Sequence, residues 1–209
     1  MPDQELPDNK QWFESVYTNA NGSTDHIPWA DLQPNPYMMK WLEREQLPAS
    51  GQSAVVIGCG LGDDAEELAR RGFIVTAFDF SDTAINWCKR RFPSSAVRYE
   101  VADLLHLPPE WRFDFVLEIH TVHALPVPIR RQVVEAVAGL VAPGGTLLAI
   151  GRLVESAALQ TQRPWPLTRN ELHYFVEAGL AETRAETFHD DEIAALGQVR
   201  FQMTYRRPT

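Results

Sequence analysis

The sequence has few cysteines and no long apolar run. Among its 209 residues there are 2 cysteines, Cys59 and Cys88, which are too few for a disulfide framework or a cysteine-based zinc site. No apolar stretch approaches the roughly 18 residues of a membrane-spanning helix, and the acidic segment 1–5 lacks the apolar core of a signal peptide. These absences predict a cytoplasmic protein in a reducing compartment, with no membrane partner.

Basic blocks are also missing. The chain has 19 Lys and Arg against 28 Asp and Glu, a formal net charge of −9. Because nucleic-acid binding depends on neutralising phosphates, this balance argues against a nucleic-acid partner. The short basic runs 70–71 and 89–91 fall at the ends of predicted helices, where they complement the helix dipole.

Apolar residues are plentiful, and they are arranged as alternating strands and helices. They make up 44% of the chain, enough for a core rather than disorder. Predicted strands cover residues 55–57, 73–78, 97–101, 113–119 and 146–150, and predicted helices cover 65–71, 81–91 and 130–141. This alternation predicts an α/β fold with a parallel sheet covered on both faces.

The two ends of the chain differ from the middle. Helical spacing at 12–21 and 37–45 flanks an irregular, proline-containing segment, and residues 1–11 are expected to fray or lie on the surface. Thr168-x-x-Glu171 predicts a capping box, and 183–188 with 200–206 predict an antiparallel hairpin. We expect one domain over 1–209, with a helical extension or lid (1–45), a core (52–151) and a substrate-side loop, helix and hairpin (152–209).

The most informative stretch is the turn Gly58-Cys59-Gly60-Leu61-Gly62, which directly follows an apolar strand. Such a turn lets a nucleotide-like cofactor approach bare backbone. Acids occupy positions 63, 64, 66 and 67, and a phosphate at this helix N-terminus would meet repulsion. Asp63 also stands where the dinucleotide pattern requires a sixth-position glycine. The turn therefore favours S-adenosylmethionine, a cationic nucleoside without phosphate, over a nicotinamide dinucleotide.

Two further acids follow predicted strands. Asp79 ends the second strand, where a carboxylate accepts hydrogen bonds from ribose hydroxyls. Asp103 follows the third strand, where it would accept from an adenine amino group, with Leu104 against the ring. Because ligands of open α/β sheets bind at the carboxyl ends of strands, the glycine turn and these acids are expected to form one site.

Residues 54 to about 151 resemble the class I S-adenosylmethionine-dependent methyltransferases. Besides the glycine turn and the two acids, segments 113–116 and 140–147 are similar to the family's fourth and fifth strand motifs. The resemblance implies a Rossmann-like sandwich with a seven-stranded, mostly parallel sheet and an antiparallel last strand. It also implies S-adenosylmethionine as cofactor, S-adenosylhomocysteine as product, and cofactor contacts from Gly58, Cys59, Gly60, Asp79, Phe80, Asp103, Leu104 and Glu118.

The sequence departs from the family at one position and adds a second resemblance. Val56 stands where the family often has an acid, so Asp63 or Glu118 would have to meet the methionine ammonium group. At the N-terminus, Trp12 and the segment from Ile27 to Pro36 are similar to the thiopurine and halide methyltransferase group. That similarity implies that Trp29 lies over the cofactor.

The resemblance implies methyl transfer to a small molecule. A thiol, selenol or halide acceptor would need little help from a base, whereas an oxygen or nitrogen acceptor would need one. His120, after the fourth strand, and Asp31 are the candidate catalytic residues. A non-catalytic module that binds the cofactor remains open.

Other residues have two interpretations each. His123 lies close to His120, but no third ligand is evident, so no metal is predicted. Trp12 is expected to lie in the core, and Asp114 to make local pairs. Arg152 either binds an anionic acceptor or, as we expect, is solvated. The protein is expected to be a monomer or homodimer.

Overall fold

The computed structural model describes residues 9–46, 50–160 and 163–209, and it is built around one sheet. Its order is β3-β2-β1-β4-β5-β8-β7, with β6 beside β5. β1 to β5 run parallel, and β8 is antiparallel to both of its neighbours. The strands are β1 (Ser53–Ile57), β2 (Ile74–Asp79), β3 (Arg98–Val101), β4 (Phe113–Ile119), β5 (Val141–Val154), β6 (Leu167–Thr168), β7 (Ala181–Phe188) and β8 (Gln198–Arg206).

This topology confirms the predicted Rossmann-like sheet with an antiparallel edge hairpin. The described part of the chain has eight strands instead of seven, because the two-residue β6 pairs with the end of β5. Leu153 lies opposite Leu167 in that pairing. This extra strand forms only through its pairing with β5, and two residues are too few to show a strand pattern in the sequence.

Seven α-helices surround the sheet in the described ranges, and side-chain caps fix several of their starts. Ser81 accepts a hydrogen bond from the backbone N–H of Ala84 (3.0 Å), and Thr168 with Glu171 forms the predicted capping box. Such caps satisfy backbone donors that a helix start leaves free. The helices are α1 (Asn9–Asn19), α2 (Pro36–Glu45), α3 (Asp63–Arg70), α4 (Asp82–Arg91), α5 (Arg130–Gly139), α6 (Arg169–Glu177) and α7 (Asp191–Ala194).

Both faces of the sheet are buried. In β1, Val55 and Ile57 join a core cluster with residues of α5 and α6. Ala54 and Val56 point the other way, into a cluster with residues of α2, α3 and α4. This is why β1 appears in the sequence as a continuous apolar run and not as an alternating one.

β5 is longer at both ends than the predicted strand at 146–150. At its start, the backbone of Gly144 donates to the Arg207 carbonyl (3.0 Å), and Arg207 donates to the Gly145 carbonyl (3.0 Å). At its end, β8 pairs with β5 as far as Val154. The extension matters for the site because it places Arg152 on a strand.

The N-terminal segment packs across the amino end of α4. Tyr17 and Ile27 form a small buried cluster with Leu61, Ala84 and Trp87. The expected fraying covers residues 1–8, which lie outside the described residues, and 9–11, which belong to α1. In the described ranges, no helix combines the length and apolarity needed to span a membrane.

Candidate functional site

A cavity with a volume of about 1100 Å³ runs along the carboxyl edge of the sheet. Because β1 to β5 are parallel, their carboxyl ends meet at this edge. The sequence-predicted site residues that line the cavity are Trp29, Asp31, Gly58, Cys59, Gly60, Asp79, Phe80, Asp103, Leu104 and His120. The structure thus brings together all of the candidates except Glu118.

The glycine turn needs its glycines. Gly58 has a φ of +58°, and a Cβ added there would lie 2.5 Å from the Thr121 hydroxyl oxygen. The backbone N–H of Cys59 donates to the Phe78 carbonyl (2.9 Å), which ties the turn to the end of β2. The turn therefore presents backbone, with little side chain, to the cavity.

Asp79 is buried, with 6% of its surface exposed, at the end of β2. One carboxylate oxygen accepts from the Gly60 N–H (3.1 Å) and the other from the Ser81 N–H (3.0 Å). Burial raises the pKa of Asp79 to about 6. A carboxylate has about four acceptor positions, so this one has capacity for a further donor, such as a ribose hydroxyl.

Asp103 lies at the far end of the same edge, and the N-terminal helix contacts it. Its carboxylate accepts hydrogen bonds from Lys10 Nζ (2.6 Å) and from the backbone N–H of Leu105 (3.1 Å), and it lies 2.6 Å from His106 Nδ1. Burial alone would raise its pKa, but the hydrogen bonds from Lys10 and His106 hold the pKa of Asp103 below its ordinary value. Three of its acceptor positions are occupied, and one remains for an adenine amino group.

Two of the four acids that follow the glycine turn are ion-paired with arginines, and a third is hydrogen-bonded to a tyrosine. Arg91 donates to both oxygens of Asp63 (2.8 Å each). The side chain of Tyr99 donates to Glu66 (2.7 Å), and Glu67 pairs with Arg70 and Arg71. Asp63 and Glu67 are therefore ion-paired, whereas Glu66 keeps its charge, so the repulsion of a phosphate is weaker than four unpaired carboxylates would give.

Asp64, which unlike Glu66 lines the cavity, has no cationic partner among the described residues. Its carboxylate accepts from the Asn35 N–H (2.7 Å). Burial, with the charges of Asp63 and Asp31, raises the pKa of Asp64 to about 6. Asp31 also lines the cavity, so two acids close to the glycine turn give this end a negative potential.

Glu118 does not lie on the cavity wall. It is 2% exposed, and one of its oxygens accepts from the backbone N–H groups of Thr121 (2.8 Å) and Val122 (2.9 Å). Burial raises the pKa of Glu118 to about 7. Its carboxylate therefore stabilises the turn after β4. It does not line the cavity, where a side chain beside the methionine tail of the cofactor was expected.

His120 lies at the carboxyl end of β4 in a left-handed conformation (φ +62°). Its ring stacks on His123, with centroids 4.6 Å apart. Burial and then the charges of Arg200 and Arg152 lower the pKa of His120 to about 3. The pKa of His123 is lowered too, chiefly by burial. Both imidazoles are neutral at physiological pH, and protonating either is unfavourable.

Aromatic residues of the N-terminal segment cover the cavity. The Trp29 indole N–H donates to the Tyr17 hydroxyl (2.9 Å), and its ring packs near Phe13 and Trp12. Trp12 was expected in the core, but 43% of it is exposed. The guanidinium of Arg163 lies over its ring at 4.2 Å, which joins the loop before β6 to this segment.

Arg152 lines the cavity from β5 and is half-buried, so it is less solvated than expected. Its Nε is buried without a hydrogen-bond partner, as is Nδ1 of His120 and of His123.

Asp114 makes the expected local pair, accepting from the Ser53 hydroxyl (2.8 Å). In the described ranges, no three His, Cys, Asp or Glu side chains gather as a metal site would require.

Sequence reasoning missed the contacts that the N-terminal helix makes with the site. Lys10 reaches Asp103, and Glu14 accepts from the hydroxyls of Ser81 (2.5 Å) and Thr83. These residues lie about 70 to 90 positions apart in the chain, so no local pattern reports them. The only local signal was the amphipathic pattern of this helix, which places polar side chains beside its apolar face but does not identify their partners.

Comparisons with known proteins agree with this geometry. Residues 54–145 match the model of a family described as a methyltransferase domain. The ubiquinone biosynthesis O-methyltransferase of Coxiella burnetii is 31% identical over 116 residues, covering 54% of this chain and 48% of that protein. The fatty-acid O-methyltransferase of Mycolicibacterium smegmatis is 34% identical over 107 residues, covering 49% of this chain and 38% of that protein. The chain thus matches about half or less of these relatives' length.

A solved structure extends the likeness to nearly the whole fold. The N-methyltransferase NodS from Bradyrhizobium japonicum WM9, in complex with S-adenosylhomocysteine, has a TM-score of 0.70 at 18% identity. The match covers 96% of this chain and 99% of that one. The family match begins at residue 54, so the similarity of the N-terminal segment to the thiopurine and halide group stays a prediction.

Proposed function

We propose that this chain is a class I S-adenosylmethionine-dependent methyltransferase, which the match of residues 54–145 to a methyltransferase-domain model supports, and that it transfers a methyl group to a small molecule. The observation that carries the proposal is the glycine turn folded against Asp79. A backbone surface and a buried carboxylate with spare acceptor capacity lie together at the carboxyl edge of a parallel sheet. That is the arrangement a nucleoside needs.

The cavity residues fit this cofactor in the order of the strands. The backbone of 58–60 would contact the cofactor beside β1, and Asp79 would accept from the ribose hydroxyls at β2. Phe80 and Leu104 would flank the adenine, with Asp103 accepting from its amino group. The methionine ammonium would lie near Asp64 and Asp31, since Asp63 is paired with Arg91 and Glu118 is turned inward.

The N-terminal elements would act as a lid. Trp29, Phe13 and Trp12 pack against one another over the cavity, and Lys10 and Glu14 bind the ends of β3 and β2. We therefore propose that residues 9–45, the described part of the predicted extension 1–45, close the cofactor site and that the described residues of 152–209 shape the acceptor side of one domain. Closing such a site excludes water and holds the reactants in line.

When bound, S-adenosylmethionine supplies an electrophilic methyl group, whose bond to sulfur breaks as a lone pair of the acceptor forms the new bond, without any redox change. The chain's own residues have to align the acceptor and receive any proton that it releases. His120 is poorly suited to receive one, because its imidazolium is disfavoured by burial and two guanidiniums. This favours an acceptor that arrives already anionic or soft, such as a thiolate or carboxylate.

The alternative is an oxygen or nitrogen acceptor with His120 as general base. A general base typically contributes 10²- to 10⁴-fold to a rate. Under our proposal, His120→Gln lowers kcat by less than about tenfold on the best acceptor, since no proton has to be taken up. A loss of about a hundredfold or more would favour the alternative.

The proposal is tested by cofactor binding followed by turnover. Calorimetry is expected to show binding of S-adenosylhomocysteine, and a panel of thiols, phenols, amines and carboxylic acids is expected to include an acceptor that yields S-adenosylhomocysteine from S-adenosylmethionine. Absence of binding at millimolar concentration would refute the proposal. Binding without turnover on every acceptor class would favour a non-catalytic module.

A further inference from the structure

The part of the cavity near β5, which we assign to the methyl acceptor, contains a positively charged side chain without a hydrogen-bond partner among the described residues. Arg152 lies on β5 and lines the cavity. In the described part of the chain, no side chain or carbonyl makes a hydrogen bond or close ion pair with its guanidinium. A partly buried charge without a partner is costly, so this position is explained best by a ligand that supplies the missing acceptor.

The charges around Arg152 do not remove this deficit. Arg200, opposite it in the β5–β8 pairing, is held by Asp190. Asp190 and Glu192 act on Arg152 at longer range, while Arg200 repels it, and burial with this repulsion lowers the pKa of Arg152. An anion placed at Arg152 would restore the stability of its charged form.

The neighbouring histidines cannot act as the counter-charge. His120 and His123 are neutral, and Nδ1 of each is buried without a hydrogen-bond partner in the described residues. The neutral rings leave the positive charges of Arg152 and Arg200 uncompensated, and these charges attract a negative ligand and repel a second cation. The wall therefore selects for charge of one sign.

The position of Arg152 separates it from the cofactor site. In the sheet, β5 lies beyond β4, two strands from the glycine turn on β1 and three from Asp79 on β2. At about 4.8 Å per strand, β1 and β5 are roughly 10 Å apart. The negative end of the cavity, at Asp64 and Asp31, lies on the cofactor side, so the two ends attract opposite charges.

We infer that the methyl acceptor carries a carboxylate, which the guanidinium of Arg152 binds at the end of β5. The inference rests on the proposed function, because it names the substrate class of the same site. Leu125, Ile129 and Trp165 line the cavity as well, and the backbone N–H of Trp165 donates to the His123 carbonyl (2.8 Å). These apolar walls fit the remainder of a small aromatic or aliphatic acid.

The test compares benzoate with benzamide, two probes of one shape that differ in charge. Each is titrated by ligand-observed NMR into protein saturated with S-adenosylhomocysteine. We expect benzoate to bind about tenfold more tightly or better, because its hydrogen bonds to a guanidinium are charge-assisted. Arg152→Gln should reduce this preference to about threefold or less, with binding of S-adenosylhomocysteine unchanged.

Arg184→Gln is the matched control, since it removes an equal charge from the exposed edge strand β7, and it should keep the preference. The inference is overturned if wild-type protein binds both probes equally, or if the preference survives Arg152→Gln; its loss in Arg163→Gln would then assign the carboxylate to Arg163. It is also overturned if Arg152→Gln weakens S-adenosylhomocysteine binding tenfold while the protein stays folded, since Arg152 would then hold the cofactor carboxylate.

A crystal of the wild-type protein with S-adenosylhomocysteine and benzoate answers the question without any variant. The carboxylate is expected within hydrogen-bond distance of Arg152, and a benzoate bound elsewhere in the cavity would overturn the inference. Failure of S-adenosylhomocysteine itself to bind is a different result, because it refutes the proposed function. Bound cofactor product without a preference for benzoate refutes only the substrate class.

Discussion

At the scale of single residues, the account depends most on Asp79. Its carboxylate already accepts from the Gly60 and Ser81 N–H groups, and we assign its remaining acceptor capacity to the ribose hydroxyls. Asp79→Ala should therefore weaken S-adenosylhomocysteine binding at least tenfold, about 1.4 kcal/mol, as measured by calorimetry. Asp191→Ala, which removes a fully exposed acid, is the control. An unchanged dissociation constant for Asp79→Ala would refute the ribose assignment.

Some site residues could be predicted from the local sequence, and others could not. Asp79 and Asp103 could be predicted because they end strands and lie at fixed distances from the glycine turn. The partners of Asp103 and the inward turn of Glu118 could not, since they depend on how Lys10 and the backbone of Thr121 are placed in space. Strand ends are local features, whereas hydrogen-bond partners are tertiary ones.

At the scale of elements, α1 and the segment after it are the parts whose order should respond to the cofactor. They reach the site through side chains of Lys10, Glu14 and Trp29, and they lack sheet pairing. A ligand that binds the closed form stabilises it by mass action. Amide hydrogen exchange of residues 9–31 should slow about tenfold or more at saturating S-adenosylhomocysteine.

The control for this exchange experiment is α6, which packs on α5 away from the glycine turn and should show little change. Equal slowing of α6 and of residues 9–31 would indicate global stabilisation. No slowing in residues 9–31 would contradict the proposed lid.

Element boundaries show where local sequence signals end. The capping box at Thr168 and the N-cap Ser81 were predictable, because each uses side chains within three residues. The start of β5 was predicted at residue 146, and it begins at Val141 because the backbone of Arg207 pairs with Gly144 and Gly145. β6 likewise exists only through its partner on β5.

At the scale of the whole molecule, the cavity is charged oppositely at its two ends. The buried acids on the cofactor side predict that binding of S-adenosylhomocysteine depends on pH. Asp79 and Asp64, both with pKa values raised to about 6, must be ionised to accept from hydroxyls and pair with an ammonium group. Both are ionised above that value and become protonated as the pH falls through it. S-adenosylhomocysteine should bind at least about fivefold more weakly at pH 5.0 than at pH 7.5, about 1 kcal/mol.

Calorimetry across this range measures the effect, and Asp64→Asn should make the pH step smaller. A dissociation constant that stays flat from pH 7.5 to 5.0 would show that neither carboxylate meets the cofactor.

The most direct measurement is a crystal structure of the protein with S-adenosylhomocysteine. The account predicts ribose hydroxyls on the Asp79 carboxylate, adenine beside Leu104 and Asp103, and the sulfur directed towards His120 and Arg152. An adenosine bound outside the stretch between Asp79 and Asp103 would contradict it.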